Sequence, residues 1–313
     1  MMWMTWRQHR GAAWVGATVL LAITSGLTFL GLAIRSNVRR SGLSACLRTG
    51  SDCSTAIAHL YREYHWLPPA AASLIVLPVL AGMFWGAPLV AREIETGTHR
   101  LVWAQSVSRL RWISAKLMLM LAITATATLG LGLLAVWSFQ PLIPVLGGRF
   151  QGNWFDIQGI VPAAYVIFAL ALGACIGAVL RRTIPAMATT MVVYAALRIS
   201  MHNIRQHLLS PNVKTISTFI GDKPIGLGAG DWILSQTPTG MPTSGPPTSG
   251  PPATIFHYIP AGRFWTLQVL EAGVFLIVAA ALVAVCITVV VRSRQSRQPK
   301  HSQLARAQLH RVA

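Results

Sequence analysis

Long apolar runs decide what this chain can become. Five of them, at residues 11–34, 70–91, 117–137, 160–180 and 265–291, are each about as long as the roughly 20 residues that a helix needs to cross a hydrocarbon core. A sixth, at 184–201, is shorter and carries Arg198 near one end. The composition agrees, since 53% of the 313 residues are hydrophobic and 11% are charged, where a soluble domain carries about 25% charged residues. The expected fold is an all-α integral membrane protein with six transmembrane helices.

The charge has to be read by position. There are 26 Lys and Arg against 8 Asp and Glu, a formal +18. As a bulk number this suggests a nucleic-acid binder, but such proteins display basic residues on polar surfaces, whereas here they punctuate apolar runs. Nucleic acid is not an expected partner. With the N-terminus inside, 15 of the 26 basic residues fall in roughly 60 residues of inner segments and 11 in roughly 120 residues of outer ones, so both termini are placed on the inner side. Arg35, Arg39 and Arg40, just beyond the first run, are the exception. Attraction of the inner basic residues to anionic lipid headgroups makes membrane lipids expected partners.

Residues 1–10 place Trp3 and Trp6 among polar neighbours, which suits a short interfacial helix at the headgroup level; an anchored disordered tail is the alternative. Arg7 and Arg10 ahead of an apolar run raise the question of a secretory signal. That run is too long and lacks a small-residue cleavage site followed by a polar chain, so it is read as a retained span. Residues 11–291 then form a six-helix transmembrane domain, and residues 292–313 a basic cytoplasmic tail. The outer segment 202–264 contains TPTGMPTSGPPTSGPP at 237–252 and reads as a flexible loop.

Cys46 and Cys53 fall in the first outer loop, where an oxidising side would let them close a small disulfide ring; two free thiols is the other reading. Cys175 and Cys286 sit inside spans as small buried hydrophobes. Residues 173–177 are a GxxxG, which permits close helix approach, and packing within the bundle is preferred over a dimer seam. Pro78 and Pro88 are expected to bend the second span. No GxxxxGK[ST], GxSxG or HExxH occurs, so neither a nucleotide loop nor a hydrolase motif is present. Glu93, Glu95 and His99 lie among arginines and are read as ion-pairing groups, not as a metal site. No catalytic residue, cofactor site or metal site is expected in this chain.

Within the spans, Arg198, Gln268 and Glu271 are the candidate intramembrane polar contacts. An unpaired charge there costs several kcal/mol, so Arg198 and Glu271 either pair or reach the interface, and Gln268 shares a helix face with Glu271.

The inner loop at 92–116, REIETGTHRLVWAQSVSRLRWISAK, is the most informative stretch. Glu93 and Glu95 extend the second span, and Thr96-Gly97-Thr98 supplies a turn suited to glycine. Leu101, Val102 and Trp103 form an apolar patch on a basic loop, and Ser106 or Ser108 is a candidate N-cap for the helix leading through Trp112. Such a patch either rests on the membrane interface or docks into a partner.

The loop resembles the E-x-E-x-G-T-x-R-L-x-W-x-Q-S-V-S-R-x-R-W-x-x-x-K pattern of the type 2 ATP-binding-cassette exporter permeases, in the form common in actinobacteria. The matching residues include Glu93, Glu95, Gly97, Thr98, Arg100, Leu101, Trp103, Gln105, Ser106, Val107, Ser108, Arg109, Arg111, Trp112 and Lys116. The opening, through Trp3, Thr5, Trp6, Arg7, Gln8 and Arg10, is similar to the family's start. Residues 258–271 resemble its approach to the last span.

That resemblance implies a permease homodimer in a bacterial plasma membrane, paired with separate subunits that bind ATP and Mg. It makes Glu93, Glu95, Gly97, Thr98, Arg100, Leu101, Trp103, Gln105, Ser106 and Arg109 the ATPase-coupling loop. The expected activity is export of a small amphipathic molecule such as a drug, antibiotic, peptide or lipid-like compound. A membrane signalling or anchoring protein is one alternative, although no sensor or output domain is recognisable. An ion-coupled secondary transporter is another, but it predicts mid-span charges, of which the sequence has few, and an internal repeat, of which it shows no convincing one.

Overall fold

The computed structural model describes residues 2–49, 53–97, 108–150, 154–217, 219–220, 223–224, 226–228, 230–239 and 253–292. Six of its helices are long and apolar enough to cross a membrane: Trp14–Arg40, Leu67–Glu95, Leu110–Leu142, Val161–Leu180, Thr183–His207 and Ala261–Arg292. They are spans one to six. The chain divides into two compact units, the first Met1–Val76, Thr126–Ala163 and Ile199–Gly273, the second Leu77–Ala125, Ala164–Arg198 and Val274–Ala313.

In the first unit, one helix runs without a break from Met2 to Arg40. Residues expected to form a separate interfacial helix are instead its opening turns. No proline interrupts the stretch, and a helix once nucleated gains a hydrogen bond with each residue it fixes. Hydroxyls within the span are satisfied locally: Thr24 Oγ1 donates to Leu20 O at 2.8 Å and Thr28 Oγ1 to Thr24 O at 2.8 Å.

The connection to span two is not a bare loop. It forms two helices, Leu43–Thr49 and Ser54–Tyr64. The second is amphipathic, and its Leu60 and Tyr64 are buried with Leu27, Ile34 and Val38 of span one and Ala135, Phe139 and Leu142 of span three. Asn37 donates to Glu63 Oε1 at 2.6 Å and to the Tyr64 hydroxyl at 2.8 Å, tying span one to this helix.

The segment 202–264, expected to be flexible, builds strands where its residues alternate. β1 (Asn212–Ile216), β4 (Trp232–Thr239) and β5 (Ala253–Ile259) form an antiparallel sheet in the order β1-β5-β4, and β2 (Phe219–Ile220) pairs with β3 (Lys223–Pro224). Ile216, Phe256 and Ile259 are its buried residues. Thr237, Pro238 and Thr239, read as the start of a linker, belong to β4. β4 is an edge strand of this sheet, the position in which a strand proline such as Pro238 is tolerated. Residues 240–252 of that repeat, and 293–313 of the expected basic tail, lie outside the described residues.

In the second unit, span two departs from a regular helix. Leu77–Ala81 is α-helical, Gly82–Gly86 forms a π-turn, and α-helix resumes at Ala87–Glu95 with Pro88 in its first turn. The irregularity expected from the prolines is thus a widened turn immediately before Pro88, where the ring supplies no donor. Glycines let span four press on this stretch: a Cβ at Gly173 would lie 2.3 Å from Gly82 O, and one at Gly177 would lie 2.5 Å from Ala87 O. Gly82 and Gly86 answer from the other side, at 2.6 Å from Ala169 O and 2.8 Å from Leu170 O. The GxxxG of span four therefore faces a second GxxxG, at 82–86, inside the same chain. Leu89 and Val90, Ile113 and Leu117, Ala174, Cys175 and Ala178, and Cys286 and Val290 make the core around it from spans two, three, four and six.

Candidate functional site

The informative loop is bracketed by two helix ends whose sequences dictate where each helix stops. Span two closes with Thr96 N–H donating to Arg92 O at 2.9 Å and Gly97 N–H to Ile94 O at 3.3 Å. Gly97 has φ +73°, a left-handed conformation that glycine adopts without a Cβ clash, as the turn required. On the far side Ser108 is the N-cap. Its Oγ accepts the Arg111 N–H at 3.3 Å and its carbonyl accepts the Trp112 N–H at 3.0 Å. Of the two serine candidates, Ser108 caps the helix Arg109–Phe139.

Glu93 and Glu95 are two residues apart and so leave the helix on different faces. Glu93 accepts a charge-assisted hydrogen bond from Lys116 Nζ on span three, and both side chains are buried. Burial makes this pair hard to break, because removing one partner strands the other charge, at a cost of about 3–5 kcal/mol. Glu95 is exposed and turns to span five, where its Oε2 accepts the Thr183 N–H at 2.9 Å and the Thr183 hydroxyl at 2.7 Å. The end of span two thus grips two neighbours. Thr98, Arg100, Leu101, Trp103, Gln105 and Ser106, with His99, lie outside the described residues, and Arg109 opens the helix of span three. Among the described residues no group of His, Cys, Asp or Glu is arranged to hold a metal ion.

The first unit holds a second polar cluster. Arg205, at the end of span five, donates from Nε to Glu271 Oε2 at 2.7 Å and from Nη2 to Glu271 Oε1 at 3.0 Å. Its Nη2 also bonds Asp156, which lies in the one-turn helix Trp154–Ile157. Arg205, Glu271 and Asp156 are all buried, and the guanidinium sits 4.3 Å from the Phe155 ring centroid. Gln268 is buried one turn earlier in span six. Its Oε1 accepts the N–H groups of Ile160 (3.1 Å) and Val161 (3.0 Å), capping the start of span four, and its Nε2 donates to Phe155 O at 3.0 Å.

Gln268 and Glu271 are therefore brought into one cluster. Arg198, in the second unit, lies with its guanidinium 4.0 Å from the Tyr165 ring centroid. The arginine that holds Glu271 is Arg205, which lies beyond the apolar run at 184–201 and so within the expected outer loop. The available signal was its spacing: Arg205 is seven residues, two helical turns, beyond Arg198. Elsewhere, Cys46 and Cys53 are joined by a disulfide, their Cα atoms 5.8 Å apart, while Cys175 and Cys286 are free and buried.

Six apolar helices would be costly to expose to water, and Phe29, Ile184 and Ile277 stand 77%, 80% and 73% exposed on them. A multi-pass membrane protein is the class this defines. A family model described as ABC-2 membrane transporter related matches residues 17–205, more than half of the sequence, and the chain belongs to that family. It is accordingly of the permease type, a generally non-catalytic membrane component of ATP-binding-cassette transporters whose members associate with an ATP-binding subunit. No curated protein and no solved structure matches the chain.

Proposed function

We propose that this chain is the permease of an ATP-driven exporter in a bacterial plasma membrane. Two copies span the bilayer with both termini inside, and each couples through the loop from Glu93 to Arg109 to a separate subunit that binds ATP and Mg. The match of residues 17–205 to the ABC-2 family carries this reading, because the loop lies within the matched region. The firm bracketing of the loop supports it: Gly97 and Ser108 end the flanking helices, and the buried Glu93–Lys116 pair joins them. A push on the loop is thereby delivered to spans two and three.

In this reading Leu101, Val102 and Trp103 fill an apolar groove of the ATPase, with Arg100, Arg109 and Arg111 on its rim or on lipid phosphates. Closure of the ATPase pair moves the loops, and the helix interface opens outward to release a small amphipathic solute. The chemistry of hydrolysis belongs to the partner, since this chain has no nucleotide loop of its own.

Trp103→Glu tests the assignment. A buried charge in an apolar groove is expected to abolish co-purification of the ATPase and the ATP hydrolysis of the complex in liposomes, while membrane insertion stays at the wild-type level. Full retention of both activities by the variant would refute it.

A further inference from the structure

Two contacts leave the end of span two, and they differ in kind. Glu93–Lys116 is buried and fixes span three. Glu95–Thr183 is solvent-accessible and reaches the first residue of the helix Thr183–Ile204. One carboxylate oxygen there takes both the backbone N–H and the hydroxyl of Thr183, so it caps, from another helix, the end that carries the positive dipole. The turn before Thr183 is only Arg181 and Arg182, and Arg181 holds φ at 55°.

Beside the Glu95–Thr183 contact, spans two and five also meet through buried alanines in this unit. Ala186 rests on Ala87 and Ala91, with Met187 beside them. These short side chains offer fewer atom contacts to fix the position of span five than long interdigitating ones would, which leaves the polar contact to set it. Span four differs, because Gly173 and Gly177 bring it against span two at backbone distance.

We propose that Glu95–Thr183 is the exchangeable contact through which span five follows the coupling loop: it is made in one state of the transport cycle and released in the other, while the Glu93–Lys116 pair persists. Thr183 is thus a positioning residue. The inference rests on the coupling role assigned to the loop.

The test uses the permease in complex with its ATP-binding subunit, carrying spin labels at Leu110 and Ile184, both exposed, on cysteines introduced there. The distance between them is read by electron paramagnetic resonance with and without ATP and vanadate. In the wild type, nucleotide is expected to shift the distance. Thr183→Val and Thr183→Ala, which lack the hydroxyl, are expected to assemble with the ATPase and lose the shift, and Thr183→Ser to restore it. A shift that survives in both hydroxyl-less variants overturns the proposal. Failure of both to assemble overturns it too, because a contact on which assembly depends is not exchangeable. Absence of any shift in the wild type, or of ATPase in the purified complex, defeats the coupling role itself and this inference with it.

Discussion

Replacing Arg205 with methionine is expected to leave little folded protein. The substitution strands Asp156 and Glu271 as neighbouring buried carboxylates with their shared cation gone, and breaking a single buried pair already costs about 3–5 kcal/mol. The cluster joins three separate pieces of the first unit, the one-turn helix at Trp154–Ile157, the end of span five and span six, so its loss loosens all of them. The measurement is the monodisperse fraction after detergent extraction, followed by size-exclusion chromatography. Arg205→Lys is expected to give an intermediate yield, since an ammonium cannot present the planar fork that bonds both carboxylates at once. Arg205→Met combined with Asp156→Asn and Glu271→Gln is expected to recover much of the yield, because no charge is then left unpaired. A normal yield for Arg205→Met alone would show that the cluster does not hold the unit together.

The second large effect is expected from one methyl group. Gly173→Ala places a Cβ 2.3 Å from Gly82 O and 2.7 Å from Ala87 N. Both are backbone atoms and neither can rotate away, so spans two and four must separate. Overpacking of a core costs about 1–3 kcal/mol when side chains can adjust, and here they cannot. Gly130→Ala is the control, since nothing lies within 4 Å of its added Cβ, and alanine favours the helix over glycine by about 1 kcal/mol. The thermal midpoint of the detergent-solubilised protein is expected to fall sharply for Gly173→Ala and to hold or rise for Gly130→Ala. Equal midpoints would mean that the two helices are free to move apart.

The membrane helices were legible because bilayer thickness imposes a length on apolar runs, and that length is written locally. Their number and approximate positions follow from it. The ends are less exact: span two begins at Leu67, ahead of the expected residue 70, because Pro68 and Pro69 fit a first helical turn, where no backbone donor is needed. What escaped was set by partners far along the chain. Asp156 and Glu271 meet Arg205 across 49 and 66 residues, and no local pattern announces such a meeting. The sheet was hidden for another reason. Pro, Gly, Thr and Ser dominate 237–252 and drew attention from the alternating residues of β4 and β5 on either side of it.

The candidate site divides along the same line. Gly97 and Ser108 follow from the rules for ending a helix, and Glu93 and Lys116 both stood in the motif. Thr183 did not. Its role depends on which face of span two Glu95 occupies and which helix lies opposite, and that is a matter of packing.

The ring closed by Cys46 and Cys53 leaves a record of how each molecule was made. Thiols in a reducing cytoplasm stay apart, and they become a lasting disulfide only on an oxidising side of the membrane. In the orientation proposed above, with both termini inside, the oxidation state of this pair is a clock for biogenesis: the fraction of chains in which it is closed counts those whose first hairpin has been threaded across the bilayer.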